Sequence, residues 1–158
     1  MNTKILRFVL FVFLSAITSA GSAGKDSKNL GYLPSANPTE DLNKARQSAA
    51  STNRRILVVA GGDWCRWCHV LDRFLADNND VKSELYKTFV VVKVYVGEDK
   101  DNELFFSKLP AAVGYPHFWV LSGDGKLVKS VSTSGFEKGD NSYNKNDFLA
   151  FIDRYNGR

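Results

Sequence analysis

The sequence predicts an α/β fold in which a central mixed sheet of four strands is flanked by helices, with one helix ahead of the first strand. Apolar runs rich in β-branched residues at positions 56–60 and 89–96 predict two strands that are covered on both faces. Between them apolar residues recur at helical spacing, which completes a β-α-β unit. A turn at residues 122–125 then joins two further strands into a hairpin, and an amphipathic helix closes the chain.

The predicted elements follow in the order α-β-α-β-α-β-β-α. Asn37 is predicted to cap the first helix, because Pro38 takes the first helical position and Glu40 can reach back to the cap. Residues 78–80 interrupt the second helix, and Asp80 is predicted to cap its continuation. The predicted bounds are helices 37–53, 65–76 with its continuation from 80, 103–109 and 148–155, strands 56–60, 89–96, 117–121 and 126–131, and a polar loop over 135–146.

The first twenty residues have the pattern of a signal peptide. Lys4 and Arg7 precede an apolar run over 8–14, and small residues suited to a signal peptidase follow it. The run is too short for a membrane span, which needs about 20 apolar residues. We therefore expect cleavage after residue 20, or as late as residue 23. An uncleaved anchor is the alternative.

Removal of residues 1–20 leaves a linker at 24–36 and one domain at 37–158. Because the leader carries two cations and no acid, its loss lowers the net charge from +4 to +2. No cluster of lysine and arginine interleaves with aromatic residues, so the sequence does not favour binding to nucleic acid.

Cys65 and Cys68 are the only cysteines, and their C-x-x-C spacing lies between a strand and a helix. Export would place them in an oxidising compartment or in one whose redox state is actively controlled. A bridge at this spacing closes a very short loop and adds little stability, so the pair indicates chemistry. At a helix N-terminus the backbone N–H groups favour a thiolate, and Arg66 adds a neighbouring cation. Cys65 is thus predicted to be the exposed nucleophile, and Cys68 the more buried resolving cysteine.

The chain resembles the thioredoxin superfamily over residues 38–156. The resemblance rests on Trp64 directly before Cys65, the apolar strand 56–59, the sequence Gly114-Tyr115-Pro116 ahead of a strand, and the turn at 123–126. Within that superfamily the centre is similar to those of exported proteins with a Trp-Cys-x-Trp-Cys sequence, including the chlamydial periplasmic oxidoreductases. A more distant likeness is to the last domain of the transmembrane thiol:disulfide interchange protein.

That resemblance implies a thioredoxin fold in which Pro116 is cis and lies beside the cysteines. It also implies that Tyr115 offers backbone groups to an extended substrate segment and that Trp64 flanks the site as a contact surface. The alternatives are a trans Pro116 that opens an edge strand and an ordinary core tryptophan.

The activity that the resemblance implies is that of an exported, periplasmic thiol:disulfide oxidoreductase without a cofactor. A reductase is favoured over an oxidase. Its expected partners are exported proteins with cysteines and a thiol electron carrier in the membrane. We expect the mature protein to be a monomer that is not embedded in the membrane.

The sequence departs from the thioredoxin pattern in two respects. Val59 stands six residues before Cys65, where thioredoxins usually have a buried Asp that accepts the proton of the resolving thiol. Lys93 matches the strand lysine often found near that acid, and the alternative is that it only caps a sheet edge. The second departure is the pair Arg66-Trp67 between the cysteines. The residues at these two positions modulate the redox potential. Arg-Trp is neither the reducing Gly-Pro pair nor the strongly oxidising Pro-His pair.

Three alternatives stay open at this point. The sequence Cys65-Arg66-Trp67-Cys68-His69 is also the attachment motif of c-type haem, with His69 as proximal ligand and His117 as the one other strong candidate ligand. The second alternative is a metal site in which Cys65, Cys68 and His117 supply three ligands. We do not favour it and predict no metal. His117 is predicted either to modulate the Cys65 thiolate or to be structural. The third alternative is a binding module that has lost turnover.

Overall fold

The computed structural model describes residues 30–97 and 102–156. The predicted signal peptide and the first part of the predicted linker, 24–29, lie outside the described residues. The elements are α1 Pro38–Thr52, β1 Arg55–Gly61, α2 Arg66–Asp77, α3 Asn79–Thr88, β2 Phe89–Tyr95, α4 Glu103–Phe106, β3 His117–Leu121, β4 Leu127–Ser132, a 3₁₀ helix Thr133–Phe136, β5 Glu137–Lys138, β6 Ser142–Tyr143 and α5 Lys145–Tyr155.

The central sheet has the strand order β2-β1-β3-β4. β1 runs parallel to β2 and antiparallel to β3, which pairs antiparallel with β4, so the predicted four-stranded mixed sheet is confirmed. All of β1 after Arg55 is buried, as its continuous apolar run predicts for a central strand. The cysteine pair follows the end of this central strand, which makes the sheet its rigid support.

Successive side chains of a strand point to opposite faces of the sheet, so the core consists of two layers. On one face Leu57, Val59 and Phe118 pack with α2, α3 and α5. On the other face Val58 and Trp119 pack with α1 and α4. The cysteines belong to the first layer. None of the helices in the described ranges is both long and apolar enough to cross a membrane.

The first helix begins as predicted. The side-chain oxygen of Asn37 accepts hydrogen bonds from the backbone N–H groups of Thr39 and Glu40 at 3.0 and 3.3 Å, and Pro38 is the first helical residue. The predicted Asp80 cap is wrong, because α3 already begins at Asn79. Asn78 separates α2 from α3, and its side-chain amide donates to the Phe74 carbonyl at the end of α2. The other bounds differ from the prediction by a few residues only.

The predicted polar loop over 135–146 is wrong. A 3₁₀ helix leads into β5, and β5 pairs with β6 in a small antiparallel hairpin. Tyr143 is 2% exposed, and its ring packs edge-on against those of Trp67 and Phe74. The hairpin is therefore fixed by one aromatic anchor, which the polar composition of the segment does not indicate.

The part of the predicted linker that the structure describes, residues 30–36, is partly packed. Leu30 and Tyr32 are each 3% exposed and belong to the core layer that holds the cysteines. The Leu30 N–H donates to Asp63 Oδ1 at 3.1 Å, and the Lys93 ammonium donates to the Leu30 carbonyl. These contacts fix the segment against the end of β1, so it is not a free linker there.

Candidate active site: a disulfide at the first turn of α2

Cys65 is the N-cap residue of α2. Its backbone is extended, and its own N–H donates to the Gly62 carbonyl at 3.0 Å, which closes the turn between β1 and the helix. The Cys65 sulfur accepts a hydrogen bond from the Cys68 N–H at 3.2 Å. The sulfur therefore lies at the positive end of α2, where unpaired backbone N–H groups favour a thiolate.

Cys65 and Cys68 form a disulfide, with their Cα atoms 5.2 Å apart. Cys65 is 3% exposed and Cys68 2%. The prediction that Cys65 is exposed is thus wrong for this oxidised form, and Cys68 is more buried than Cys65 only by a marginal difference. The reason is that both residues are packed in the same apolar cluster, together with Val59 and Phe118.

Trp64 and Tyr115 form the exposed side of the disulfide. Trp64 is 56% exposed, so the alternative of an ordinary core tryptophan is wrong. Its indole N–H donates to the Val96 carbonyl at 2.7 Å, and its ring meets the Tyr115 ring edge to face at 5.7 Å. An exposed aromatic side chain is thus held in a fixed position beside the cysteines.

The Tyr115–Pro116 peptide bond is cis, as the resemblance implied. Pro116 is buried, and its carbonyl accepts a hydrogen bond from the Thr133 hydroxyl at 2.7 Å. Because Ala60 pairs with His117 across β1 and β3, Pro116 reaches the level of the turn that leads to Cys65. The structure thus brings Trp64, Tyr115 and Pro116 to the same end of the sheet as the disulfide.

The two residues between the cysteines hold α2 against the β5–β6 hairpin. Arg66 donates to the Asp140 carbonyl at 2.8 Å. Trp67 is half-buried, and its ring lies 5.3 Å from that of Tyr143. Besides separating the two cysteines in the sequence, both residues therefore help to position the first turn of the helix.

The buried side of the disulfide contains a group that the sequence did not predict. Val59 is buried and pairs in register with Lys93 on β2. The Lys93 ammonium, besides its bond to Leu30, lies 5.1 Å from the centre of the Tyr32 ring. A cavity of about 190 Å³ lies behind Cys68, lined among others by Tyr32, Val59, Asp72 and Lys93. The available signal for Tyr32 was a short apolar cluster, Leu30, Tyr32 and Leu33, in an otherwise polar segment.

The two histidines are engaged elsewhere. His69 Nε2 lies 2.6 Å from the Asp63 carbonyl oxygen, which can only accept, so Nε2 carries a hydrogen there. His117 bonds the Ser130 hydroxyl through Nε2 at 2.8 Å and packs on Trp119 at 4.6 Å, on the sheet face opposite to Phe118. Burial lowers the pKa of His117.

This placement does not bring His117 to the sheet face that carries the cysteines. In the described ranges, no three His, Cys, Asp or Glu side chains come together as a metal site. The His69 nitrogen that a haem iron would require is hydrogen-bonded to a carbonyl, and both cysteine sulfur atoms are joined to each other. The described geometry fits dithiol–disulfide chemistry better than haem attachment.

Comparisons with known proteins agree with this geometry. A family model described as thioredoxin-like matches residues 37–123. The chain is similar to the crystal structure of a disulphide isomerase from Xylella fastidiosa Temecula1, with 25% identity, a TM-score of 0.67, and coverage of 80% of this chain and 97% of that one. It is also similar to the C-terminal domain of DsbD from Neisseria meningitidis in its oxidised form, with 12% identity, a TM-score of 0.56, and coverage of 76% and 97%. That second likeness shows the fold alone. No curated protein sequence matches the chain.

Proposed function

The chain belongs to the thioredoxin-like family, and from that premise we propose that it is an exported thiol:disulfide oxidoreductase that acts through Cys65 and Cys68. The observation that carries this proposal is the disulfide at the N-cap of α2, with the Cys65 sulfur facing the helix N-terminus. The similar structure from Xylella fastidiosa is named a disulphide isomerase, which is chemistry of the same class.

In the reduced protein Cys65 is the nucleophile. Its thiolate is stabilised by the Cys68 N–H and the helix dipole, and it attacks one sulfur of a substrate disulfide. The other substrate sulfur leaves as a thiolate and takes up a proton, which leaves Cys65 in a mixed disulfide with the substrate. Cys68 then attacks the Cys65 sulfur, and the second substrate thiol is released. Two electrons pass from the dithiol to the substrate, and the Cys65–Cys68 disulfide is the product.

Trp64, Tyr115 and Pro116 form the substrate-facing surface in this proposal. Trp64 supplies exposed aromatic area that its bond to Val96 holds in place, so little conformational entropy is lost when a partner covers it. The backbone at Tyr115 precedes the cis Pro116 and lies next to the disulfide-bearing turn. An extended substrate segment that carries a cysteine fits such a surface.

The direction of electron flow in this proposal is reduction of the substrate. Arg66-Trp67 between the cysteines is not the pairing of the strongly oxidising relatives, and the centre is of the Trp-Cys-x-Trp-Cys type. The substrates would be exported proteins with cysteines, the protein would act as a monomer, and a membrane thiol electron carrier would return it to the dithiol form. The signal peptide predicted over residues 1–20 is the ground for the periplasmic location in this proposal.

Reduction of insulin by the mature protein tests the mechanism. We expect Cys65→Ser to abolish the reaction, because no thiolate remains at the helix N-terminus. Cys68→Ser should instead accumulate covalent mixed disulfides, visible on a non-reducing gel. If Cys65→Ser reduced insulin at the wild-type rate, the mechanism would be wrong. A redox-inactive binding module would show no thiol cycling in wild type, and covalent haem in the exported protein would give a haem absorption spectrum.

A further inference from the structure

The segment that enters the fold at Leu30 is held directly behind the disulfide. Its backbone is fixed from both sides, by Asp63 of the active-site turn and by Lys93 of β2. Tyr32 follows and turns its ring inward, where it is 3% exposed and lies under the Lys93 ammonium. A tyrosine is thus held rigidly on the side of Cys68 that faces away from substrate.

Gly61 shows how near the phenol is to the resolving cysteine. A Cβ atom added to Gly61 would lie 2.5 Å from the Cys68 sulfur and 3.1 Å from the Tyr32 hydroxyl oxygen. Both atoms therefore border the same small gap, which exists because residue 61 has no side chain. Tyr32 and Cys68 also both line the cavity behind Cys68.

The surroundings keep the phenol protonated. Burial raises the pKa of Tyr32, and the negative charges of Asp63 and Asp72 and the neighbouring Tyr143 act in the same direction. Lys93 faces the ring from β2. A buried phenol that stays protonated donates a hydrogen bond and does not serve as a base.

We propose that Tyr32 donates its phenolic hydrogen to the Cys68 sulfur when that sulfur becomes a thiolate, a positioning and stabilising role that rests on the proposed function. Because Val59 stands where thioredoxins usually have a buried Asp, that carboxylate is missing near the Cys68 thiol. The Tyr32 phenol lies on the same side of the thiol and acts as a hydrogen-bond donor instead of a proton acceptor. A hydrogen bond to the charged form lowers the pKa of a group.

The step is balanced without a further reactant. Cys68 gives its proton to solvent water, its thiolate attacks the Cys65 sulfur of the mixed disulfide, and the substrate thiolate leaves and takes up one proton from water. The Cys65–substrate bond breaks as the Cys65–Cys68 bond forms. Tyr32 keeps its hydrogen throughout and only stabilises the charge on Cys68.

The test measures the pKa of the Cys68 thiol in the Cys65→Ser background, where Cys68 is the sole cysteine. The rate of alkylation by iodoacetamide is followed against pH by mass spectrometry. We expect Tyr32→Phe, which removes one oxygen and keeps the ring, to raise that pKa by about one unit. Tyr86→Phe is the matched control, because Tyr86 lines the same cavity but is 44% exposed, and it should leave the pKa unchanged.

A purely structural role for Tyr32 would change the melting temperature without this shift. Incorporation of 3-fluorotyrosine at position 32 gives a second reading that does not depend on the stability of Tyr32→Phe. Its more acidic phenol is a stronger donor, so the pKa of Cys68 should fall. An unchanged pKa in folded Tyr32→Phe, or in the fluorinated protein, would overturn the inference. The alkylation profile needs no turnover, so it separates this outcome from failure of insulin reduction by wild type, which would overturn the proposed function instead.

Discussion

The two sides of the Cys65–Cys68 disulfide are built in different ways. The exposed side consists of Trp64, which is adjacent to the motif, and of Tyr115, which precedes the buried cis Pro116 at the start of β3. The buried side is assembled from the segment before α1 and from β1 and β2, and there the Tyr32 phenol and the Cys68 sulfur both border Gly61. The comparison separates two tasks: we assign contact with the substrate to the exposed side, and control of the resolving thiol to the buried side.

The two sides should therefore respond differently to mutation. A change on the exposed side should alter reaction with protein substrates and leave the thiol pKa values and the stability nearly constant. A change on the buried side should alter stability and thiol chemistry for every substrate, however small. The following variants test this division, beginning with the largest expected effect.

Gly61→Ala should have the largest effect, because it fills the gap that joins Tyr32 and Cys68. The new Cβ would lie 2.5 Å from the Cys68 sulfur, which is too close without a shift, and 3.0 Å from Tyr32 Cζ, which is a tight contact. Overpacking of this kind costs about 1–3 kcal/mol. We expect a loss of that size in the free energy of unfolding, measured in urea, and slower exchange with all disulfides.

Gly135→Ala is the control for that variant, since a Cβ at Gly135 would meet nothing within 4 Å. It should leave both the stability and the exchange rate near those of wild type. A Gly61→Ala protein with wild-type stability and exchange would show that the gap has no role in the site.

Trp64→Ala should affect protein substrates selectively. The side chain is 56% exposed, so its loss should lower the free energy of unfolding by less than about 1 kcal/mol. The loss of a fixed aromatic contact should reduce kcat/KM for insulin about tenfold, as is typical for an aromatic residue at the centre of an interface. Reduction of a small aromatic disulfide should change far less.

Val128→Ala is a matched control, because Val128 is a partly exposed apolar residue on β4. It should not change the ratio of kcat/KM for insulin to kcat/KM for the small aromatic disulfide. An equal loss for insulin and for the small disulfide in Trp64→Ala would show that Trp64 acts on the cysteines themselves, contrary to the division of tasks.

His117 belongs to neither side, and its variant should give the smallest effect. Burial lowers its pKa below the ordinary value of 6.5, so the unfolded chain binds a proton more readily than the folded one. The contribution of neutral His117 to the free energy of unfolding is present above pH 6.5. It is lost as the pH falls towards the pKa of His117 in the folded state. We expect His117→Gln to flatten this decline in the free energy of unfolding between pH 7 and 5, measured by urea titration.

The pKa of the Cys65 thiol, measured in the Cys68→Ser background, should be the same with His117 and with Gln at position 117. The reason is that the ring packs on Trp119, on the sheet face away from α2. A shift in the Cys65 pKa would restore the prediction that His117 modulates the thiolate.

The sheet was predictable because its signals are local and repeated. The apolar runs of β1 and β2, the Gly-containing turn before β4 and the Asn37 cap each specify their element without help from distant residues. The cysteine pair was predictable for the same reason, since its chemistry follows from spacing and from its place at a helix start.

The missed features depend on single residues in polar surroundings. Tyr143 fixes the β5–β6 hairpin through rings on α2. The segment of Tyr32 is placed by the Asp63 carboxylate and the Lys93 ammonium, which bind the Leu30 backbone. Neither tyrosine belongs to a periodic pattern, so tertiary contacts alone decide its position. The missed exposure of Cys65 has the same origin, because its burial depends on packing against β1 and β3.

The reduction potential of the Cys65–Cys68 pair tests the central claim most directly. The mature protein would be equilibrated in buffers of graded redox poise, and the free thiols then trapped with an alkylating reagent and counted by mass spectrometry. We predict one reversible two-electron transition with a midpoint near that of thioredoxin, about −270 mV. A disulfide that does not exchange with the buffer would contradict the oxidoreductase claim, and a midpoint near about −120 mV would contradict the reductase direction.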